Sequence, residues 1–404
     1  MTTTTTTTTK SGTQGARGKR DFRATFDELH EIAAGETGLC DFGDSAYRKN
    51  LEFLLDCYDR ESIFGQAGRL ATRQTLITAL RGRLYSTHRL AHNPTALAKP
   101  ILRPLIIAGL PRTGSTALHK LLAADPDSQA LEYWLGCEPD SRPARSDWPS
   151  HPSYRAAVAA LDRIYEGASE FRAAHSMKAG EADECRLLFM QDFLNVSFSF
   201  NATIPSYEAW VLEQEMRPAY ARYRENLQLI GANESDKRWV LKNSSHLWAL
   251  PALESTFPDV CLVQTHRNPI EWISSIASLV YKSRCRYEPD VRKRDVGEQQ
   301  LDQWAKVIER SRADRAGLDC SVHDVHYQHF VRDPIDTIRR IYDRFELPWS
   351  PAAEKAIREW ADQNRQDQHG VHRYSAAEYG LTEERIADRF SDYIEWEQSI
   401  LQSG

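Results

Sequence analysis

The chain has 404 residues, 41% of them hydrophobic and 27% charged, with a net charge of −6 at pH 7. This is enough apolar material for one large core or two, while the negative balance argues against a nucleic-acid partner. No apolar run reaches the roughly 18 residues a membrane span needs, and seven scattered cysteines without a C-x-x-C pair suit a reducing cytoplasm better than a disulfide framework.

The opening stretch, MTTTTTTTTKSGTQGARGKR, is basic and repetitive and lacks the apolar segment of a signal peptide, so a disordered Thr-rich tail is expected over 1–21. From 22 to 95 the spacing is helical. Tyr47, Leu51, Leu54, Leu55 and Tyr58 share one face, and Leu76, Ile77, Leu80 and Leu84 another. This predicts an all-helical N-terminal extension packed on the rest of the chain. Residues 105–116, LIIAGLPRTGST, read as a buried strand, a glycine-punctuated turn and a helix start. A helix is expected over 115–124, stopped by Asp125-Pro126-Asp127, and a surface loop over 138–152. Helices follow over 154–165, 184–193 and 207–230, a strand over 238–241, a helix over 246–257 and a strand over 260–265. Then come a helix over 269–281, a charged mobile segment over 284–296, a helix over 301–315, a strand over 322–327 and a helix over 334–345. Strands alternating with helices predict an α/β fold, a P-loop-like parallel sheet flanked by helices.

Two of these junctions carry chemistry. The turn after the first strand leaves backbone N–H groups at a helix N-terminus, where peptide dipoles add positive charge, so it can cradle an anion. A nucleotide-binding P-loop places Lys directly after its second glycine; here Ser115 follows Gly114, and the cation sits inside the loop as Arg112. The strand over 260–265 ends in His266-Arg267-Asn268-Pro269, with Ser275 further along the helix that Pro269 opens. An NTPase strand at this place often ends in an acid that holds magnesium. Arg267 instead favours a second anion, because a guanidinium fork matches phosphate oxygens. Two anion sites without a metal-holding acid describe a nucleotide with a second phosphate apart from its main chain. The rival readings are a P-loop nucleotide kinase or NTPase, and a non-catalytic nucleotide binder.

In these residues the chain resembles the sulfotransferases that use 3′-phosphoadenosine-5′-phosphosulfate (PAPS), in their bacterial branch. Gly109–Thr116 match G-x-P-R-[ST]-G-[ST]-[ST], and His266–Pro269 with Ser275 match the later H-R-[DN]-P and serine. Leu241-Lys242 with His246-Leu247 match L-K-x-x-x-H-L, and 327–334 are similar to Tyr-x-x-[LF]-x-x-[DN]-P. The resemblance implies a sulfotransferase α/β domain over 96–404. It implies metal-independent in-line transfer of a sulfuryl group from PAPS to a hydroxyl of a small-molecule acceptor, with the bisphosphate PAP as product. By the same resemblance Arg112, Thr113, Gly114, Ser115 and Thr116 hold the 5′-phosphosulfate, Arg267 and Ser275 hold the 3′-phosphate, and Lys242 stabilises charge on the leaving oxygen. The base stays open among His246, Glu184, His175 and Glu132. The acceptor is expected to be a phenol, sterol or lipid alcohol, in an apolar slot drawn from Tyr133, Trp134, Phe193, Phe198, Phe200, Tyr207 and Trp210. The N-terminal helices and 284–296 are the expected lids, and self-association is left open.

Overall fold

A computed structural model describes residues 21–166, 172, 176–364 and 375–403. The tail over 1–20 and His175 therefore lie outside the described residues.

The sheet is built from short apolar segments. Strands β1 (Leu105–Ile107), β2 (Ser128–Ala130), β3 (Arg238–Lys242), β4 (Cys261–His266) and β5 (Val322–His326) pair in the order β2-β3-β1-β4-β5, all parallel. A parallel sheet is covered on both faces, and alternate residues serve opposite sides. Leu105 and Ile107 of β1 pack with Val240, Val263, Val325 and the helix Pro334–Arg344. Ile106 faces the other way, with Leu241, Leu262 and Trp239.

From β1 the chain runs to β2 and β3 on one side and then crosses to β4 and β5 on the other. That reversal is the switch point where doubly wound sheets open a crevice outside the carboxyl ends of their strands. The glycine turn follows β1, Lys242 ends β3 and Arg267 follows β4, so all three functional segments emerge at this edge.

Helices α1 (Phe26–Thr37), α2 (Tyr47–Glu61) and α3 (Gln66–His92) form the N-terminal extension. Their apolar faces do not close on themselves alone. Leu51, Leu54, Leu80 and Leu84 pack with Phe193, Phe198, Tyr207 and Val211 from the middle of the chain. Arg83 of α3 is 1% exposed and donates to the Phe42 and Asp44 carbonyls at 2.7 and 2.6 Å and to Asp192 at 2.5 Å. Such a buried guanidinium, bonded through all three nitrogens, ties the extension to the middle of the chain.

Three expectations need correction. The single helix over 207–230 is two, α7 (Pro205–Glu213) and α8 (Arg217–Ile230), because Pro218 can stand only in a helix's first turn. For brevity α5 denotes Pro152–Tyr165 and α6 Arg186–Met190, while α4, Ser115–Leu122, follows the glycine turn. The mobile segment over 284–296 is anchored instead. Arg284 ends α9 (Pro269–Arg284) and is 1% exposed, Glu288 is fully buried against Thr203, and α10 (Lys293–Arg315) begins before the segment ends. The edge strand β2 was not expected, since three residues carry no readable period.

Candidate functional site

The turn between β1 and α4 is shaped by contacts that admit no side chain. A Cβ at Gly109 would lie 1.9 Å from Thr265 Oγ1, so only glycine lets β1 and β4 approach this closely. Gly114 is the N-cap of α4 with φ +77° and contributes no side-chain cap. The first turn of α4 thus presents its backbone donors outward. Thr113 is buried, and its hydroxyl donates to the Leu110 carbonyl at 2.6 Å and shares a hydrogen bond with Thr265 at 2.6 Å. Its side chain braces the loop rather than facing the crevice. Arg112 sits at φ 64°, a conformation that costs a non-glycine residue about 1–2 kcal/mol.

That strained residue is where the glycine turn meets the segment that follows β4. Arg112 Nε donates to Ser275 Oγ at 3.1 Å, and Arg267 Nη1 donates to the Arg112 carbonyl at 3.0 Å. Arg267 also lies 4.1 Å above the Tyr327 ring and pairs with Glu271 at 2.9 Å, which fixes its direction. His266 is turned away from the crevice, bonded to Tyr393 at 3.0 Å and Asp324 at 2.8 Å. Burial pushes the Asp324 carboxyl up, but hydrogen bonds from Arg315 and His266 hold it well below the usual range. His266 is therefore a strut between β4, β5 and the helix Ser391–Ser403.

Lys242 is 3% exposed, with Nζ 3.4 Å from Thr116 Oγ1 and in a close ion pair with Glu184. β3 aims this ammonium across the mouth of the glycine turn, since Lys242 is in register with Ile107. A cavity of about 990 Å³ opens here, lined by Arg112, Ser115, Thr116, Glu184, Lys242 and Arg267 at its polar end.

The chain matches the Sulfotransferase family over residues 104–351. It is similar to the crystal structure of sulfotransferase STF1 from Mycobacterium tuberculosis, at 39% identity and a TM-score of 0.85, covering 93% of this chain and 100% of that one. It is also similar to sulfotransferase STF9 from Mycobacterium avium, at 26% identity and a TM-score of 0.83, covering 95% of this chain and 98% of that one. No curated protein matches. The chain belongs to the sulfotransferase family. It is an enzyme that moves a sulfuryl group from PAPS to a hydroxyl of a small-molecule acceptor.

Of the residues weighed as its base, only Glu184 lines the cavity; His175 lies outside the described residues. His246 of the sulfotransferase is fully buried off the cavity, sharing a 2.7 Å hydrogen bond with Tyr220 and packed against Phe189 and Tyr223. Its Nε2 has no hydrogen-bond partner among the described residues, and burial pushes its pKa down to about 3. So placed, the imidazole does not face the cavity. Glu132 is also away from the cavity, held by Arg142 at 3.1 Å, and burial pushes its carboxyl up.

Two buried imidazoles give a pH prediction. Burial holds His246 at about 3 and His119 at about 4, against 6.5 in an unfolded chain. Between those values the unfolded chain binds protons that the folded chain refuses. Stability is therefore complete above pH 6.5 and is lost as pH falls toward 4 and 3. Thermal melts from pH 7 to pH 4 should show a falling Tm, and His246→Gln should make that fall shallower. An unchanged slope would mean that His246 does not titrate with unfolding.

The expected acceptor aromatics divide. Tyr133 and Phe200 line the cavity, whereas Trp134, Phe193, Phe198, Tyr207 and Trp210 belong to the packed interior. Helix α3 lines it too, through Ala71, Thr75, Thr78 and Gly82. Tyr327 was visible only as a motif letter; its place beneath Arg267 had no signal in the sequence. Among the described residues, no helix is long and apolar enough to cross a membrane.

Proposed function

We propose that the loop of Arg112, Gly114, Ser115 and Thr116, braced by Thr113, holds the 5′-phosphosulfate of PAPS, while Arg267 and Ser275 hold its 3′-phosphate. The observation that carries this reading is the junction of Arg112, Ser275 and Arg267, with contacts of 3.1 and 3.0 Å. Two fixed cations from different strands there serve one doubly phosphorylated ligand. The fit is supported by the N-terminus of α4, where Gly114 gives no side-chain cap and the first backbone donors are left for a ligand.

In the transfer, the bond from sulfur to the phosphate oxygen breaks as a bond from sulfur to the acceptor oxygen forms. Lys242 stabilises the charge gathering on the phosphate oxygen. Glu184 takes the acceptor's hydroxyl proton. At rest the two neutralise each other, which keeps a buried ammonium from standing alone. As charge develops on the donor, the ammonium turns to it and the carboxylate is released toward the acceptor. The acceptor class is a phenol, sterol or lipid alcohol, in keeping with the apolar wall of Leu187, Val196, Leu279 and Val280. All seven cysteines are free, which supports a reducing cytoplasmic setting.

Arg267→Ala should weaken PAP binding by about 1–3 kcal/mol, the scale of a hydrogen bond to a charged group. Equilibrium dialysis with PAP measures it. Undiminished affinity would remove Arg267 from the 3′-phosphate.

A further inference from the structure

The acceptor end of the cavity contains a guanidinium that the reaction above does not use. Arg186 begins α6, two positions after Glu184, and lines the cavity. Protein surrounds it, yet it is not buried from solvent, because its open side is the cavity. Among the described residues it makes one hydrogen bond, from Nη2 to Met177 Sδ at 3.5 Å, and no ion pair. A thioether is a weak acceptor, and none of the Arg186 nitrogens is a buried orphan.

The acids that line the cavity are committed elsewhere. Glu36 and Glu138 are paired with Arg81 at 3.2 and 2.9 Å, Glu208 with Arg284 at 3.5 Å, and Glu184 with Lys242. Asp183 is close enough to favour the charged guanidinium but does not bond to it; its Oδ1 accepts from Glu184 N at 2.6 Å.

We propose that Arg186 anchors the acceptor by gripping a carboxylate, so that the acceptor is an apolar molecule bearing both an acid and the hydroxyl that receives the sulfuryl group. The guanidinium fork matches a carboxylate in two parallel hydrogen bonds. One arginine beside one aspartate suits a monoanion better than a phosphate dianion. Because Arg186 and Glu184 stand on one short segment, the distance from anchor to base is fixed, and the hydroxyl is selected by its spacing from the acid. This inference rests on Glu184 facing the acceptor.

The test uses the full chain saturated with PAP and titrated calorimetrically with acid and methyl-ester pairs: 4-hydroxyphenylacetate, 3-(4-hydroxyphenyl)propanoate and 12-hydroxydodecanoate. At least one acid should bind about 10-fold tighter than its ester, worth ~1.4 kcal/mol. Arg186→Met should abolish that preference and Arg186→Lys should keep part of it, both with unchanged PAP affinity. The proposal is overturned by esters that bind as well as acids, by a preference that survives Arg186→Met, or by the failure of every pair to bind. In each of those outcomes, normal PAP affinity that still depends on Arg267 leaves the donor site standing. PAP affinity independent of Arg267 marks a failure of the donor-site reading instead.

Discussion

Replacing Lys242 with methionine should lower kcat by about 10²–10³-fold, the scale of losing one preorganised donor at a developing oxyanion. PAP affinity should change far less. The reason is differential: the phosphate oxygen gains charge only as its bond to sulfur breaks, so an ammonium aimed at it acts mainly in the transition state. Lys242 is 3% exposed, and water screens it little. Methionine keeps the stem and removes the charge. Steady-state turnover beside PAP binding separates the two effects. A variant that turns over normally, or one whose defect lies wholly in nucleotide affinity, would take Lys242 out of the chemistry.

Glu184→Gln comes next in size. Loss of a general base costs about 10²–10⁴-fold in kcat, and glutamine keeps the shape while removing the proton acceptor. Because Glu184 is ion-paired with Lys242, the double variant should lose less than the product of the single losses. Full additivity would mean that the pair does not act as a unit. Unimpaired turnover in Glu184→Gln would return the base role to the segment that contains His175.

The parts of the site that are legible in the sequence are local. The glycine turn, Arg267 and Lys242 each sit at a strand end, and a strand followed by a turn announces itself over a few residues. Their meeting at one edge follows from parallel pairing, which places every carboxyl end on the same side. What was not legible depends on distant partners. His246 stands four residues beyond Lys242, but a short 3₁₀ helix, Ser244–Trp248, turns it into the interior beside Tyr220. Spacing cannot reveal that rotation. Arg284 and Glu288 lie in a run of charges that reads as solvated, and only their buried partners Ser199 and Thr203 show otherwise. Arg186 gave no sign at all, since its significance is the open space in front of it.

Helix α3 contributes a wall of the cavity, yet it precedes the stretch over 104–351 that is matched to the family. One wall of the cavity is thus encoded apart from the segments proposed to hold the donor. Retailoring the face that bears Thr75 and Thr78 offers a way to redirect this catalyst to new alcohols without disturbing how it grips its nucleotide.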